Sequence, residues 1–364
     1  MRRWLFSLLT TTALGWALAG AAFAGGGPGN QPPRPLEWQW KADEARELKK
    51  MAATAIAEPE GSFYLETPHW RVRTWHTPLF TAQAALYMEK FFAVFSKAFL
   101  LKRGPAYPDY KPLFCVHASR DDYLKASKGP EWSAGVCLPG TNPDGSPNIS
   151  LHVYYAPPAG DGRKEAVFNA SVPLSVIQHE GTHCLLHRLF GARPLPYWLD
   201  EGAANYYGAW CLRWRQSESG ETWNDSVHRA DRMLFSLWPP FLRSYYQNHP
   251  EAPLPRLREL SAANSMKEFY VDGGGELTRL NYALAESFID FLMTSKKRRP
   301  FFLQILERVR ALPEDQRESP APLVTDEEAR AHEEQWLLFL INHWGVKFAD
   351  APIKARAAEL RRKK

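Results

Sequence analysis

The chain has 364 residues, of which 45% are hydrophobic and 13% aromatic, so it can bury a large core in one large or two modest domains. This composition excludes an intrinsically disordered protein. The net charge of +5 is small for this length, and eight basic residues lie in two short runs, "KKRR" at 296–299 and "RRKK" at 361–364. Because such runs are commonly solvated, the charge does not indicate nucleic-acid binding.

Residues 1–24 have the three regions of a secretory signal peptide. Arg2 and Arg3 precede a short apolar run, and Ala22-Phe23-Ala24 has the small-residue spacing of a cleavage site. We expect cleavage after Ala24 and export to the periplasm or out of the cell. An uncleaved membrane anchor is the alternative, although the apolar run is short for a membrane span. No later segment is apolar enough to cross a bilayer, so we expect no membrane association after cleavage.

The next segments predict a leader, a helix, a strand and a second helix. Residues 25–36, "GGGPGNQPPRPL", should form a flexible leader because they are rich in Gly and Pro. Residues 37–57 predict a helix, and 63–75 predict a strand. Residues 81–100 predict a long buried helix with apolar residues at helical spacing. Its aromatic stripe should belong to the core: Phe91, Phe92, Phe95 and Phe99.

The first half of the chain continues with strands, and the second half is mainly helical. Strands are expected at 112–119 and 148–157, with a short helix between them, and further helices at 173–190, 199–214 and 277–295. This order favours an α+β fold with a small mixed sheet. We divide the chain into an N-terminal α+β part, a mainly helical part that carries the motif below, and a C-terminal helical extension: 37–172, 173–300 and 301–364.

The four cysteines could form disulfides in an exported protein, and three pairings are possible. Cys115 with Cys137 and Cys184 with Cys211 would each close a short loop, which favours this pairing. Four buried thiols are the alternative. Zinc binding by cysteine is disfavoured because the chain has no C-x-x-C pair.

The segment "SVIQHEGTHCLLHRLF", 175–190, places His179 and His183 four residues apart on a predicted helix. Residues i and i+4 lie on one helical face, about 6 Å apart, so both imidazoles can bind one metal ion. Glu180 follows the first histidine, where it could take a proton from a water molecule on that metal. The flanking residues are apolar and predict a buried helix. Unpaired polar groups there would cost several kcal/mol, and a metal would satisfy them.

A catalytic zinc site needs a third protein ligand. The segment "PYWLDEGAANYYGAW", 196–210, provides Glu201, which lies 18 residues after His183. The small residues that follow it, Gly202, Ala203 and Ala204, would allow close helix packing. A connecting loop of about ten residues would permit an antiparallel return of the chain. The sequence therefore predicts a metal site formed by His179, His183 and Glu201.

The motifs "HEGTH" at 179–183 and "WLDEG" at 198–202 resemble those of the gluzincin metallopeptidases of clan MA, which include thermolysin and aminopeptidase N. The chain more closely resembles a group of exported bacterial MA-like peptidases of unknown substrate. That likeness covers roughly residues 60–295 and includes "SRDDYLKAS" and "SAGVCLPG…NISLHVYY" before the motif.

The resemblance implies one Zn²⁺ per chain on His179, His183 and Glu201, with Glu180 as general base and acid. It also implies a tyrosine that hydrogen-bonds the oxyanion. Tyr282, in "NYALAESFIDFL", is the candidate for it. The alternatives are Tyr206, Tyr207, or a Tyr282 that simply packs against the sheet.

Two further features bear on the substrate. The strand "NISLHVYY" would be the sheet edge along which an extended peptide lies, or else an ordinary internal strand. Aminopeptidases of this clan capture the free amine of the substrate with a Gly-x-Met-Glu-Asn motif. This chain has no such motif, which favours an endopeptidase.

Other polar residues near the motif have less specific interpretations. His187 extends the histidine face by one turn and is expected to be a partly exposed helix residue rather than a ligand. Asp200 could orient His183 through its second nitrogen, or could cap its own helix. "DGGGEL", 272–277, lacks the lysine of a phosphate-binding loop and is expected to be a flexible loop.

The sequence thus predicts an exported zinc metallopeptidase that acts on a peptide or protein substrate. Two alternatives remain: a non-catalytic peptide-binding or scaffold protein that retains the fold, and a zinc amidase that acts on a cell-wall crosslink or another non-peptide amide. The oligomeric state and the cleavage specificity are not predictable from these residues.

Overall fold

A computed structural model gives the fold of the protein. It describes residues 42–99, 104–129, 131, 133–155, 168, 174–191, 193, 195–209, 237–263, 265–313 and 322–362. The signal peptide expected at 1–24, the leader at 25–36 and Cys211 lie outside these residues. The fold is mixed α+β, with a six-stranded sheet in the N-terminal half and helices in the C-terminal half, as predicted. Among the described helices, none is both long enough and apolar enough to span a membrane.

The described residues fall into two compact units, the first ending at Gly191 and the second starting at Arg193. The first unit contains, in chain order, α1 (Ala42–Thr54), β1 (Ile56–Ala57), β2 (Phe63–Glu66), β3 (Arg71–Thr74), α2 (Pro78–Ala98), β4 (Leu113–His117), α3 (Arg120–Ser127), β5 (Gly135–Leu138), β6 (Ser150–Tyr154) and α4 (Leu174–Phe190).

The sheet has the strand order β1-β2-β3-β4-β6-β5. β4 is parallel to β3 and to β6, and the other pairs are antiparallel, so the sheet is mixed as predicted. Among the strands that the structure describes, β5 lies at the edge of the sheet, beside β6. The expectation that "NISLHVYY" forms the edge was therefore wrong, because β6 lies between β4 and β5.

The single strand expected at 63–75 is two strands, β2 and β3, joined by a tight turn. At this turn the N–H of Thr67 donates to the carbonyl of Trp70 (2.9 Å), and the N–H of Trp70 donates to Oγ1 of Thr67 (3.1 Å). Pro68 interrupts the run because it has no N–H for a ladder hydrogen bond.

Helix α2 forms much of the core of this unit. Thr77 caps its N-terminus by accepting a hydrogen bond from the N–H of Phe80, and Pro78 occupies the first turn, where a missing N–H costs nothing. Phe91, Phe95 and Phe99 of the aromatic stripe are buried, as expected, whereas Phe92 is half-buried. A Cβ atom on Gly181 of α4 would lie 3.1 Å from Cε1 of Phe91, so the glycine in "HEGTH" allows α4 to pack closely on α2.

The second unit is helical. It contains α5 (Tyr197–Gly208), α6 (Trp238–Asn248), α7 (Leu257–Ala262), α8 (Met266–Phe269), α9 (Glu276–Met293), α10 (Arg299–Ala311), α11 (Asp326–Phe339), a π-helical turn (Leu340–Trp344) and α12 (Ala351–Arg362).

Helix α9 is central to the second unit. A Cβ atom on Gly202 of α5 would lie 2.8 Å from the carbonyl oxygen of Ala285, so α5 and α9 approach each other at backbone distance. On α9, Ser287 and Asp290 accept hydrogen bonds from the indole N–H groups of the buried Trp336 (3.0 Å) and Trp344 (2.9 Å). The small residues after Glu201 thus permit close helix packing, as predicted, and the partner helix at Gly202 is α9.

Candidate metal centre

Helix α4 presents one face to the edge strand β5. Val176, Glu180 and Cys184 follow each other at intervals of four residues, which places them on one side of the helix. A Cβ atom on Gly135 of β5 would lie 2.5 Å from Cγ1 of Val176 and 3.4 Å from Cγ of Glu180. Two residues further along the same face of β5, Sγ of Cys137 lies 3.0 Å from Sγ of Cys184.

The two histidines of the motif occupy another face of α4, as their spacing predicts. Their Nε2 atoms are 3.3 Å apart, and their rings meet nearly edge to face, at 78° with 4.9 Å between centroids. His179 and His183 are only 1% and 3% exposed. Two imidazole nitrogens are therefore directed at one buried point.

Glu201 completes a group of three metal-ligating side chains. One ligand atom each from His179, His183 and Glu201 lies within 4.8 Å of the others, and all three residues are buried. Two imidazoles and a carboxylate are a donor set that transition metals prefer. This buried group could therefore bind a metal ion.

Glu180 is 1% exposed, and its Oε2 accepts a hydrogen bond of 2.8 Å from the backbone N–H of Cys137. The residue is next to His179 in the helix, so its side chain leaves the axis about 100° away from the first ligand. The edge strand therefore fixes the position of a carboxylate near the metal-ligating face.

A tyrosine pair lies beside Glu201. The hydroxyl of Tyr270 is 3.4 Å from Oε1 of Glu201 and is hydrogen-bonded to the hydroxyl of Tyr282. Tyr282 is 2% exposed and stacks on Trp238 with 5.6 Å between ring centroids. Tyr270 is partly exposed as a whole residue, but its hydroxyl faces Glu201 and Tyr282 and is shielded from water. Burial and the neighbouring carboxylate of Glu201 raise the pKa of Tyr270 well above its usual value, so it keeps its proton and can donate it in a hydrogen bond.

The sequence reasoning missed Tyr270, which lies two residues before the glycine-rich segment 272–277. That segment is not a loose loop. Gly275 is the N-cap residue of helix α9 and has no side chain that could accept hydrogen bonds, and Asp272 accepts them instead. Its carboxylate accepts hydrogen bonds from the N–H groups of Leu277 (2.8 Å) and Thr278 (3.1 Å) and from the Thr278 hydroxyl (2.6 Å). A Cβ atom on Gly275 would lie 2.5 Å from Oδ2 of Asp272. The sequence did contain a signal for this arrangement, because Asp272 and three glycines directly precede a helical pattern, as is typical of the start of a helix.

The other candidates occupy different positions. Tyr206 and Tyr207 are buried on α5, with their rings edge to face. His187 is half-buried, as expected, and is outside the three-residue group. Asp200 does not cap its helix, because α5 begins at Tyr197 with Pro196 as the capping residue. Its expected role in orienting His183 stays a prediction.

One bond of the favoured disulfide pairing, between Cys115 and Cys137, was wrong. Cys115 is a buried thiol on β4, and β6 separates β4 from β5, which carries Cys137. Strands two positions apart in a sheet are about 9–10 Å from each other, too far for a disulfide. The expected bond between Cys184 and Cys211 stays a prediction, because Cys211 lies outside the residues that the structure describes.

A search against models of known protein families gave no match, and a search of curated protein sequences gave no significant match. The fold and the buried His179-His183-Glu201 group are therefore the basis for any functional conclusion.

Proposed function

We propose that this protein is an exported zinc-dependent metallopeptidase of the gluzincin type, which hydrolyses peptide bonds within a chain. The observation that carries the proposal is the convergence of His179, His183 and Glu201 on one buried point, with Glu180 adjacent in the same helix as the first two.

The donor set fits zinc. Two histidines and one glutamate are the protein ligands of catalytic zinc in thermolysin-like enzymes. Two nitrogens bound to a tetrahedral zinc ion at 2.0–2.1 Å lie about 3.3–3.4 Å apart, and the Nε2 atoms of His179 and His183 are 3.3 Å apart. A zinc ion held by these residues would supply Lewis acidity and would lower the pKa of its water ligand to about 7.

Glu180 is the general base and then the general acid in this proposal. Its carboxylate takes a proton from the attacking water and delivers that proton to the leaving nitrogen. A carboxylate has about four lone-pair sites, and the N–H of Cys137 donates to one oxygen of Glu180. Proton transfer by a positioned side chain contributes about 10²–10⁴-fold to a rate.

The tyrosine pair supplies the donor for the oxyanion. Tyr282 was the candidate from sequence, and its hydroxyl is hydrogen-bonded to that of Tyr270, which lies 3.4 Å from Glu201. A hydroxyl donor positioned before the reaction stabilises negative charge as it develops, typically by about 3 kcal/mol. Because each hydroxyl orients the other, we assign the donor role to the pair acting together.

Strand β5 is the edge on which an extended peptide would bind. It replaces β6 in this role because β6 is internal. A substrate backbone that adds to a sheet edge gains affinity that is largely independent of its sequence. Since β5 also holds Glu180, a substrate on its edge would lie near the general base.

Two measurements on purified protein test the proposal. Metal analysis should find one zinc per chain in the wild type and in Glu180→Gln and His187→Ala, and little in His183→Ala. Wild type and His187→Ala should cleave a mixed library of peptides with blocked N-termini, whereas Glu180→Gln should be at least about 100-fold slower.

The other outcomes separate the alternatives. Protein that binds no metal at any zinc concentration would support the scaffold interpretation. Zinc-containing protein that cleaves no peptide but hydrolyses a cell-wall amide would support the amidase. Hydrolysis of the blocked peptides at the wild-type rate by Glu180→Gln would refute the mechanism.

A further inference from the structure

Strand β5 and helix α4 each contribute one cysteine to a buried contact. Sγ of Cys137 and Sγ of Cys184 lie 3.0 Å apart, and the two residues are 8% and 0% exposed. A disulfide bond has its sulfur atoms about 2.0 Å apart, so a shift of about 1 Å would bring this pair to bonding distance.

The contact follows from the way the two elements face each other. Cys137 and Gly135 alternate onto the same face of β5, and Gly135 meets α4 at Val176. Cys184 lies two helical steps of four residues beyond Val176 and on the same side of α4. The pairing is therefore set by the register of the strand against the helix, and 47 residues separate the two cysteines along the chain.

We propose that Cys137 and Cys184 form a disulfide bond that fastens the edge strand β5 to the helix carrying the metal-ligating histidines. The oxidant is a disulfide compound, either a small molecule such as oxidised glutathione or a protein disulfide. Its sulfur–sulfur bond is broken as Cys137, the more exposed of the two, attacks it and forms a mixed disulfide. The Cys184 sulfur then displaces the second thiol, so two protein thiols become one disulfide and the oxidant becomes two thiols.

The bond would restrain a weakly held part of the fold. β5 has only four residues and pairs with β6 on one side. Its backbone holds Glu180, so a covalent link to α4 keeps the strand and the carboxylate in register. This proposal does not depend on hydrolysis or on metal binding, and either proposal can fail without the other.

The sequence makes the test direct, because trypsin separates the four cysteines. Cys115, Cys137, Cys184 and Cys211 fall in different tryptic peptides: 104–120, 129–163, 165–188 and 189–213. Purified protein is incubated with oxidised glutathione or with dithiothreitol, alkylated in denaturant and digested without reduction. Mass spectrometry of the oxidised sample should find peptide 129–163 joined to peptide 165–188 in most molecules. The reduced sample should contain no disulfide-linked peptides.

Two variants and a melting experiment complete the test. Cys184→Ser should lose the crosslink, and Cys115→Ser, which removes an equally buried thiol from β4, should keep it. The oxidised wild type should melt about 5 °C above the reduced form, a difference retained in Cys115→Ser. Crosslinks to Cys115 or Cys211, or alkylated Cys137 and Cys184 after oxidation, would overturn the proposal even if Cys184→Ser does not fold.

Discussion

The backbone N–H of Cys137 donates a hydrogen bond of 2.8 Å to Oε2 of Glu180, so one residue of the edge strand positions the carboxylate of the motif helix. Both groups are buried, and the bond therefore contributes to stability as well as to the geometry of the site. The two contributions can be separated by substitution.

Glu180→Ala should destabilise the protein more than Glu180→Gln. Alanine leaves the buried N–H of Cys137 without this acceptor, at a cost of about 1–3 kcal/mol, whereas the glutamine amide oxygen can still accept. Urea unfolding of the metal-free proteins measures the difference. Equal free energies of unfolding for the two variants would show that the hydrogen bond contributes nothing to stability.

The tyrosine pair should behave as one unit in catalysis. Tyr270→Phe and Tyr282→Phe should each lower kcat about 100-fold with zinc retained, because each removes one member of the hydroxyl pair. The double variant should be no slower than the slower single variant, since the second hydroxyl has no function once the first is lost.

Tyr207→Phe is the matched control, because it removes a hydroxyl from another buried tyrosine of the second unit. It should change kcat less than about threefold. If the losses of the two single variants multiply in the double variant, the hydroxyls act independently and the paired role is excluded.

Gly202→Ala should destabilise the second unit by about 1–3 kcal/mol. The new Cβ atom would lie 2.8 Å from the carbonyl oxygen of Ala285 and 2.9 Å from its carbonyl carbon, and backbone atoms cannot rotate away. This strain outweighs the gain of about 1 kcal/mol in helix propensity.

Gly181→Ala provides the comparison, because the nearest atoms to its Cβ atom would be side-chain atoms, at 3.1 Å from Phe91 and 3.4 Å from Met88. Small side-chain shifts should keep its stability within about 1 kcal/mol of the wild type. Thermal unfolding of both variants gives the order, and a less stable Gly181→Ala would contradict the packing argument.

The stability of the first unit should fall in mild acid. Burial lowers the pKa of His76, His117 and His152 from 6.5 to about 4. For His117, burial outweighs the opposing effect of Asp122, which raises the pKa. For His152, the neighbouring His117 lowers the pKa further. Between pH 6.5 and 4 the unfolded chain binds protons that the folded protein excludes, so the free energy of unfolding decreases as the pH falls.

Each of these histidines can contribute up to about 1.4 kcal/mol per pH unit to that decrease. His117→Gln should therefore reduce the loss of unfolding free energy between pH 7 and pH 5, measured by urea titration. His249→Gln, which changes a half-buried histidine of the second unit, is the control because it leaves the first unit unchanged. A loss that is the same in His117→Gln and wild type would show that burial of this imidazole does not govern the acid response.

Much of the helical structure was predictable because its signals are local. The apolar periodicity of 81–100 led to a helix at Pro78–Ala98, and its start three residues earlier follows from the Thr77 cap and Pro78. "RDDYLKAS" forms the predicted short helix, Arg120–Ser127, with Ser119 as its cap. The spacing of His179 and His183 likewise placed both imidazoles together before any tertiary contact was known.

The sheet was less predictable because its order depends on distant parts of the chain. β5 has four residues, one of them glycine, and no alternation, so its identity as a strand comes only from pairing with β6. Its position at the edge made the expected role of "NISLHVYY" wrong. The contact of Tyr270 with Glu201 joins residues 69 positions apart, and no periodicity of the sequence predicts it.

Helix α4 also limits how this protein can evolve. Val176, Glu180 and Cys184 contact strand β5, while His179 and His183 face the metal-ligating group on another side of the helix. Both sets of contacts depend on the same rotation of the helix about its axis. One residue inserted between Val176 and Cys184 would turn everything after it by about 100° relative to everything before it. Natural variants should therefore accept substitutions in this helix far more readily than insertions or deletions.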